Sequence, residues 1–262
     1  MLSRDIQKAR EAYQRGDREA SAAAHQGNAA KESHQHGAGQ YIKSAVYGGL
    51  DGTVTTFAVV AGVAGASLGS GIVLILGVAN LIADGLSMAI GDYLSTKSEQ
   101  EFHRAERKRE EWEVDHYPEG EKQELLELYM AKGLPEEDAR QVVDIFARHK
   151  KAWVDVMMVE ELGILGDEES PLKNALVTFA SFALFGFVPV LAYVLVATVG
   201  FPKSWAFPMA SGCTAVTLFA LGALKVKVTG RNWIVSGLEM LLVGGIAAAA
   251  AYLTGVLLGG LA

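Results

Sequence analysis

The amino-acid sequence predicts an all-α membrane protein with five transmembrane helices and a water-facing three-helix bundle inserted between the second and third. Three observations lead there. Half of the 262 residues are apolar, yet 23 basic and 30 acidic side chains are present, and the two populations are segregated along the chain. Five stretches are long enough to cross a bilayer, which takes about 20 apolar residues. Lys and Arg cluster in alternate connections between those stretches, the pattern that sets orientation in a membrane. The chain therefore divides into a polar tail (1–40), a pair of spans (41–96), a charged block (97–170) and three further spans (171–262).

The tail is rich in Ala, Gly and Gln and lacks the apolar run of a secretory signal, so the first span is expected to act as its own insertion signal. Its polarity predicts disorder. Within it, His34 and His36 could hold a metal loosely, although solvated histidines are the simpler reading, and His25 has no assigned role. The spans fall at 42–68, 71–95, 175–200, 207–228 and 233–258. Gly, Ala, Ser and Thr recur in all five, as expected where helices pack closely in lipid. Gly255 and Gly259 form one such small-residue pair. Pro189 and Pro208 are tolerable inside spans because neighbouring helices satisfy the freed carbonyls.

Orientation follows from the basic residues. The first linker has none. The charged block opens with Lys97, Arg104, Arg107, Lys108 and Arg109 and closes with Lys150, Lys151 and Lys173. The third linker holds only Lys203, the fourth has Lys225, Lys227 and Arg231, and the C-terminus has none. This places the N-terminus and the charged block in the cytosol and the C-terminus on the other side. Within the block, one helix continues the second span over 92–115. Pro118 opens another to about 132, where Gly133 ends it, and Pro135 with its following acids opens a third to about 163. Leu125, Leu128, Val142, Ile145, Phe146 and Trp153 supply the inner faces of a bundle.

Composition also excludes function classes. A net charge of −7 is unsuited to nucleic acid, whose phosphates need a basic face. Cys213 is the single cysteine, so no intrachain disulfide forms. No H-E-x-x-H set is present, and the G-x-S-x-G match at 65–69 lacks the strand–turn–helix context of a hydrolase. The acidic excess suits a cation instead.

Acids inside the spans are the first chemical signal. A carboxylate at a helix centre costs about 2.5–3.5 kcal/mol on insertion scales, so it normally faces a pathway or a partner. Asp51 lies nine residues into the first span, about 14 Å from its inner end. Asn80, Asp84, Met88 and Asp92 recur every four residues, along one face of the second span. Carboxylate oxygen with thioether sulfur suits a borderline transition metal better than Mg²⁺ or Ca²⁺. The alternative is a polar seam that holds helices together, with Met88 as filling.

A second signal lies in the charged block. Glu99, His103, Glu106, Glu110 and Glu113 repeat at spacings of four and three, Glu121 and Glu124 sit one turn apart, and Met157, Met158 and Glu161 close the set. Singly, such glutamates are solvated faces and such methionines are core. Pooled from three helices they are also a plausible metal site, and on the residues alone both readings stand. Glu239 either lines the path or pairs with a basic residue such as Arg231.

The runs YGGLDGTVTTFAVVAG (47–62), ADGLSMAIGDYLS (83–95) and MMVEELGI (157–164) resemble the vacuolar iron transporter family, with the resemblance covering residues 40–260. It implies five spans, a three-helix cytoplasmic metal-binding domain and a homodimer in the lipid bilayer. It further implies that Asp51 and Met88 line a transport path, and that Glu110, Glu113, Glu121, Glu124, Met157, Met158 and Glu161 are cytoplasmic metal ligands. The function implied is export of Fe²⁺ or Mn²⁺ from the cytosol by proton antiport, with Co²⁺ and Zn²⁺ as further candidates and no cofactor beyond the transported ion. Many plant members have Glu where this chain has Asn80, and Gly where it has Asp84, so the acid stands one turn along the same face. Asp92 stands where Glu is commoner. Overall resemblance favours a bacterial cytoplasmic membrane over a vacuolar one. The rival expectation is a membrane-anchored sensor or buffer that binds iron without moving it.

Overall fold

The computed structural model describes residues 6–25, 36–165, 170–229 and 232–261, and among them every regular element is helical. The chain separates into two compact units, Met1–Ile90 with Lys173–Ala262, and Gly91–Leu172.

Within the tail, residues 6–25 are helical. Two short helices form, α1 (Ile6–Arg15) and α2 (Arg18–His25), because Ala, Glu, Gln and Arg are strong helix formers even without an apolar face. Asp17 caps the second by accepting from the Ala20 amide at 2.9 Å. His34 lies outside the described residues.

Five helices are long and apolar enough to cross a membrane. They are α3 (His36–Gly65), α4 (Ser70–His116), α8 (Pro171–Val199), α9 (Ala206–Thr229) and α10 (Trp233–Leu258). α4 runs for 47 residues with no proline to stop it, so the second span passes into the charged block as one helix. The packing of this unit uses small residues. A Cβ at Gly52 would overlap the Phe182 carbonyl of α8, and one at Gly255 would overlap the Gly62 carbonyl of α3. Gly259 likewise sits against Ala66, so the 255/259 pair packs against the end of α3. Around these close approaches Phe57, Val60, Ala192, Tyr193, Val196 and Ala210 form an apolar core, with Phe57 stacked on Phe207 at 6.1 Å. The outer faces of α4 and α10 expose Ile75, Ile82, Leu86, Leu242, Ile246 and Leu257, side chains at home in lipid.

The second unit contains the end of α4 together with α5 (Pro118–Ala131), α6 (Glu136–Ala147) and α7 (Lys150–Glu160). Pro118 at the first position of α5 and three acids in the first turn of α6 mark their starts. The helix expected over 135–163 is broken in two at Arg148–His149. Four consecutive polar residues there, Arg148, His149, Lys150 and Lys151, three of them cationic, have nothing to bury. His149 leaves the helical region (φ −131°, ψ 81°), and α7 turns so that Trp153, Val154 and Met157 join the core already held by Val114, Leu125, Ala139 and Val143. An ion pair from Lys150 to Asp115 at 2.5 Å ties the start of α7 to α4.

Close approach at Gly52 makes a direct test of the membrane packing. Gly52→Val is expected to cost about 1–3 kcal/mol through overpacking and to lower the unfolding temperature and the yield of monodisperse protein in detergent. Gly212→Ala, where an added Cβ meets nothing within 4 Å, serves as the tolerated control in the same thermal assay.

Candidate metal centre

The residues that hold the second unit together also aim its acids. Glu110 stands one turn before Val114, Glu121 one turn before Leu125, and Glu161 one turn after Met157. Val114, Leu125 and Met157 all belong to the apolar core. An i,i+4 partner lies on the same helix face, so packing three core residues against one another brings the three glutamates together. One carboxylate oxygen from each of Glu110, Glu121 and Glu161 lies within 4.8 Å of the others. Two oxygens bound to one ion at about 2.1 Å are at most about 4.2 Å apart, so the trio needs only a small closure to hold a cation.

Local backbone supports this arrangement. Pro118 starts α5 directly after α4 ends at His116, which puts Glu121 in the first turn of α5. Glu161 caps the C-terminal end of α7, where the last carbonyls favour a cation. Gly163, at φ +66°, lets the chain leave, and the Ile164 amide donates back to the Met158 carbonyl at 2.8 Å.

Negative charge outnumbers positive at this point. Glu110 is 1 % exposed and Glu121 4 %, and each keeps one carboxylate oxygen buried with no hydrogen-bond partner. The other oxygen of Glu110 accepts from Arg109 at 3.3 Å. That guanidinium also reaches Glu106 at 3.1 Å and Glu113 at 3.5 Å, so three carboxylates share it. Burial, with repulsion from Glu110, Glu124, Glu113 and Glu161, pushes the Glu121 carboxyl up to about 7. Glu161 also rises to about 7, through desolvation of its carboxyl and repulsion from Glu110 and Glu124. The side chain of Glu161 is exposed as a whole, so solvent screens it and Glu121 feels the stronger constraint. Glu110 rises as well through burial, opposed by its hydrogen bond from Arg109.

The remaining members of the expected set are placed differently. Glu113 and Glu124 act on the trio electrostatically from its margin. Met157 is fully buried and Met158 nearly so, both within the apolar core. Sequence reasoning gave Arg109 only an orienting role; its spacing from Glu106 and Glu113, three and four residues along one helix, was the signal that it belongs to the acid cluster.

In the membrane unit, Asp51, Asn80, Asp84 and Met88 are all half-buried. Asn80 donates toward the hydroxyls of Thr55 at 3.4 Å and Thr56 at 3.3 Å, which turns its face of α4 toward α3. Asp51 of α3 and Asp84 of α4 are within electrostatic reach of each other. Asp92, one turn beyond Met88, is half-buried and belongs to the second unit. Glu239 pairs with Lys225 at 3.7 Å; Arg231, the partner suggested by sequence, lies outside the described residues.

Five membrane-length helices with acids among them, and a charged unit between the second and third in which Glu110 and Glu121 each keep a buried carboxylate oxygen unpartnered, define an integral membrane protein suited to handling cations. The VIT family model matches residues 42–256, and the chain belongs to that family. It is 44 % identical to a vacuolar iron transporter of Toxoplasma gondii, over 97 % of this chain and 89 % of that protein. It is 38 % identical to one of Plasmodium falciparum, over 98 % of each chain. With vacuolar iron transporter 1 of Arabidopsis thaliana the identity is 35 %, over 82 % of this chain and 85 % of the relative.

The raised carboxyls predict a pH signature for the metal-free protein. Glu121 and Glu161 titrate near 4.5 when unfolded and at about 7 when folded, so the folded state holds more protons between those values. Their contribution to stability is therefore present at low pH and lost as pH rises through about 7. Chelator-treated protein is expected to lose stability between roughly pH 5 and pH 8, with a smaller loss in Glu121→Gln or when Mn²⁺ is added. Thermal unfolding of the detergent-solubilised chain across that range reads this directly.

Proposed function

We propose that the protein transports divalent iron or manganese out of the cytosol in exchange for protons. The observation that carries this reading is the trio Glu110, Glu121 and Glu161, two of whose oxygens are buried without a partner. The relatives' names support metal-ion transport, and proteins of this family are transporters rather than enzymes.

In this reading Glu110, Glu113, Glu121, Glu124 and Glu161 gather the ion, and Met157 and Met158 add softer donors. A divalent cation replaces the protons that burial otherwise forces onto the carboxyls, because each group takes one or the other. Asp51, Asp84 and Asp92 then pass the ion along and take protons in return, with Asn80 and Met88 on the same helical stripe. Two copies associate through their exposed apolar faces as a homodimer. The charged block faces the cytosol and the C-terminus faces away, following the basic connections. The relatives are eukaryotic and carry a vacuolar name, which gives a bacterial cytoplasmic membrane no support. A sensor or buffer that merely binds iron has no use for half-buried acids in its spans, so it is not favoured.

Flux into proteoliposomes under an imposed pH gradient tests the transport step. Asp51→Asn keeps the shape of the side chain and removes its charge, so transport is expected to fall to background while the protein elutes unchanged on size exclusion. Wild-type flux in that variant would assign the membrane acids to structure. Met88→Leu removes the thioether from the stripe and is expected to shift preference away from Fe²⁺ toward Mn²⁺. Orientation has its own readout: a reporter fused after Ala262 is expected to be non-cytosolic.

A further inference from the structure

One positive charge is built into the acid cluster. The Arg109 guanidinium is planar and offers five N–H donors in a fixed fork. Through Nη2 it meets Glu106 at 3.1 Å and Glu110 at 3.3 Å, and through Nε it meets Glu113 at 3.5 Å. Glu106 stands three residues before it on α4 and Glu113 four after, the spacings at which helical side chains meet.

These partners are not equivalent. Glu110 and Glu113 belong to the proposed ligand set, whereas Glu106 does not. Glu110 is buried, and its second oxygen has no partner. The contact with Glu106 is the shortest of the three. The fork therefore bridges two carboxylates meant for an ion and one that is not.

A tethered cation at this place acts in opposite senses on the empty and the loaded cluster. When the cluster is empty, it offsets part of the repulsion among carboxylates that the apolar core holds together. When a divalent cation is present, it is a like charge close by and a competitor for the same oxygens. Arg109 is 48 % exposed, so solvent screens that repulsion and leaves an effect of about three- to tenfold on affinity. Glu106 supplies a second seat. The fork can stay there while an ion takes Glu110 and Glu113, so the exchange needs side-chain movement only.

Resting on the transport reading above, we propose that Arg109 is a positioning residue that stands in for the ion in the empty cluster and weakens the hold on a bound one, with Glu106 as the seat to which its guanidinium withdraws. A cluster that gathers ions for a membrane path must also give them up. A resident competing cation keeps affinity low enough for release.

The test uses the full-length protein in detergent, stripped of metal and titrated with Mn²⁺ by calorimetry at pH 8 and low salt, where exposed charges are least screened. Arg109→Gln is expected to bind Mn²⁺ about three- to tenfold more tightly than wild type, while its metal-free form unfolds at a lower temperature. A gain in affinity separates this role from that of a structural clamp, whose loss would disorder the ligands and weaken binding. Arg104→Gln removes an equal charge from a different face of α4 and is expected to change affinity by less than about twofold. Should Arg109→Gln fail to fold, Glu106→Gln carries the comparison. The fork then rests on Glu110 and Glu113, so affinity falls, and falls further than in Glu111→Gln, whose partner is Arg107. Unchanged or weaker binding in folded Arg109→Gln, an equal gain in Arg104→Gln, or equal losses in the two glutamate variants overturns the proposal and leaves the metal centre in place. Absence of Mn²⁺ binding by the wild-type chain removes the metal centre and this role together.

Discussion

Too many carboxylates around too little positive charge is the constraint on which the second unit turns. Arg109 is shared by Glu106, Glu110 and Glu113 and attracts Glu161 only from a distance, and among the described residues no cation pairs with Glu121 or Glu161. A buried ionised carboxylate without a partner is far more expensive than a protonated one, so burial and mutual repulsion favour protons on Glu121 and Glu161 up to about neutral pH. The helices cannot relieve the repulsion by moving apart, because Val114, Leu125 and Met157, one turn from each glutamate, are locked in the core. The apolar packing therefore stores an electrostatic demand that a divalent cation satisfies without rearrangement of the backbone.

How much of this was legible in the sequence depends on the range of the interaction. The five spans were readable because hydropathy and length are properties of a segment alone, and α4 through 116 because nothing in it breaks a helix. The glutamates of α4 could be placed on one stripe by counting. Glu161 could not be joined to Glu110 by spacing, since 51 residues and three turns of chain separate them. Periodicity also failed at Arg148–His149: from Val143 to Val154 is eleven residues, close to three full turns, so an unbroken helix would have kept both on one face. The break arises from tertiary packing and from a run of like charges, neither of which leaves a proline or glycine as a mark.

Met157 and Met158 show the same limit at the level of chemistry. Sequence put them beside Glu161 as soft donors, with core filling as the bland alternative. The structure packs both in the apolar core, and a thioether serves either use, since it is both an adaptable hydrophobe and a ligand. Only the carboxylate oxygens stand ready without repacking. On the proposed reading, an ion reaching the trio would meet hard oxygen donors first, a set that discriminates little between iron and other divalent cations.

On the proposed transport reading, selection between iron and its competitors falls to a place where sulfur is available. In the membrane unit Asn80 is occupied in holding α4 to α3 through Thr55 and Thr56. That leaves Asp51 and Asp84 as charged oxygen donors across the seam, and Met88 as the thioether one turn further along. A neutral amide at position 80 removes one acid from the stripe without loosening the helix pair, because Asn keeps the cross-helix hydrogen bonds that an ionised Glu could only accept. Asp84 returns that acid one turn along the same face, next to Met88, so the number of carboxylates on the stripe is unchanged. On the proposed transport reading, the acid at 84 rather than 80 sets a carboxylate one turn from the Met88 thioether, so that oxygen and sulfur donors neighbour each other on one helix face.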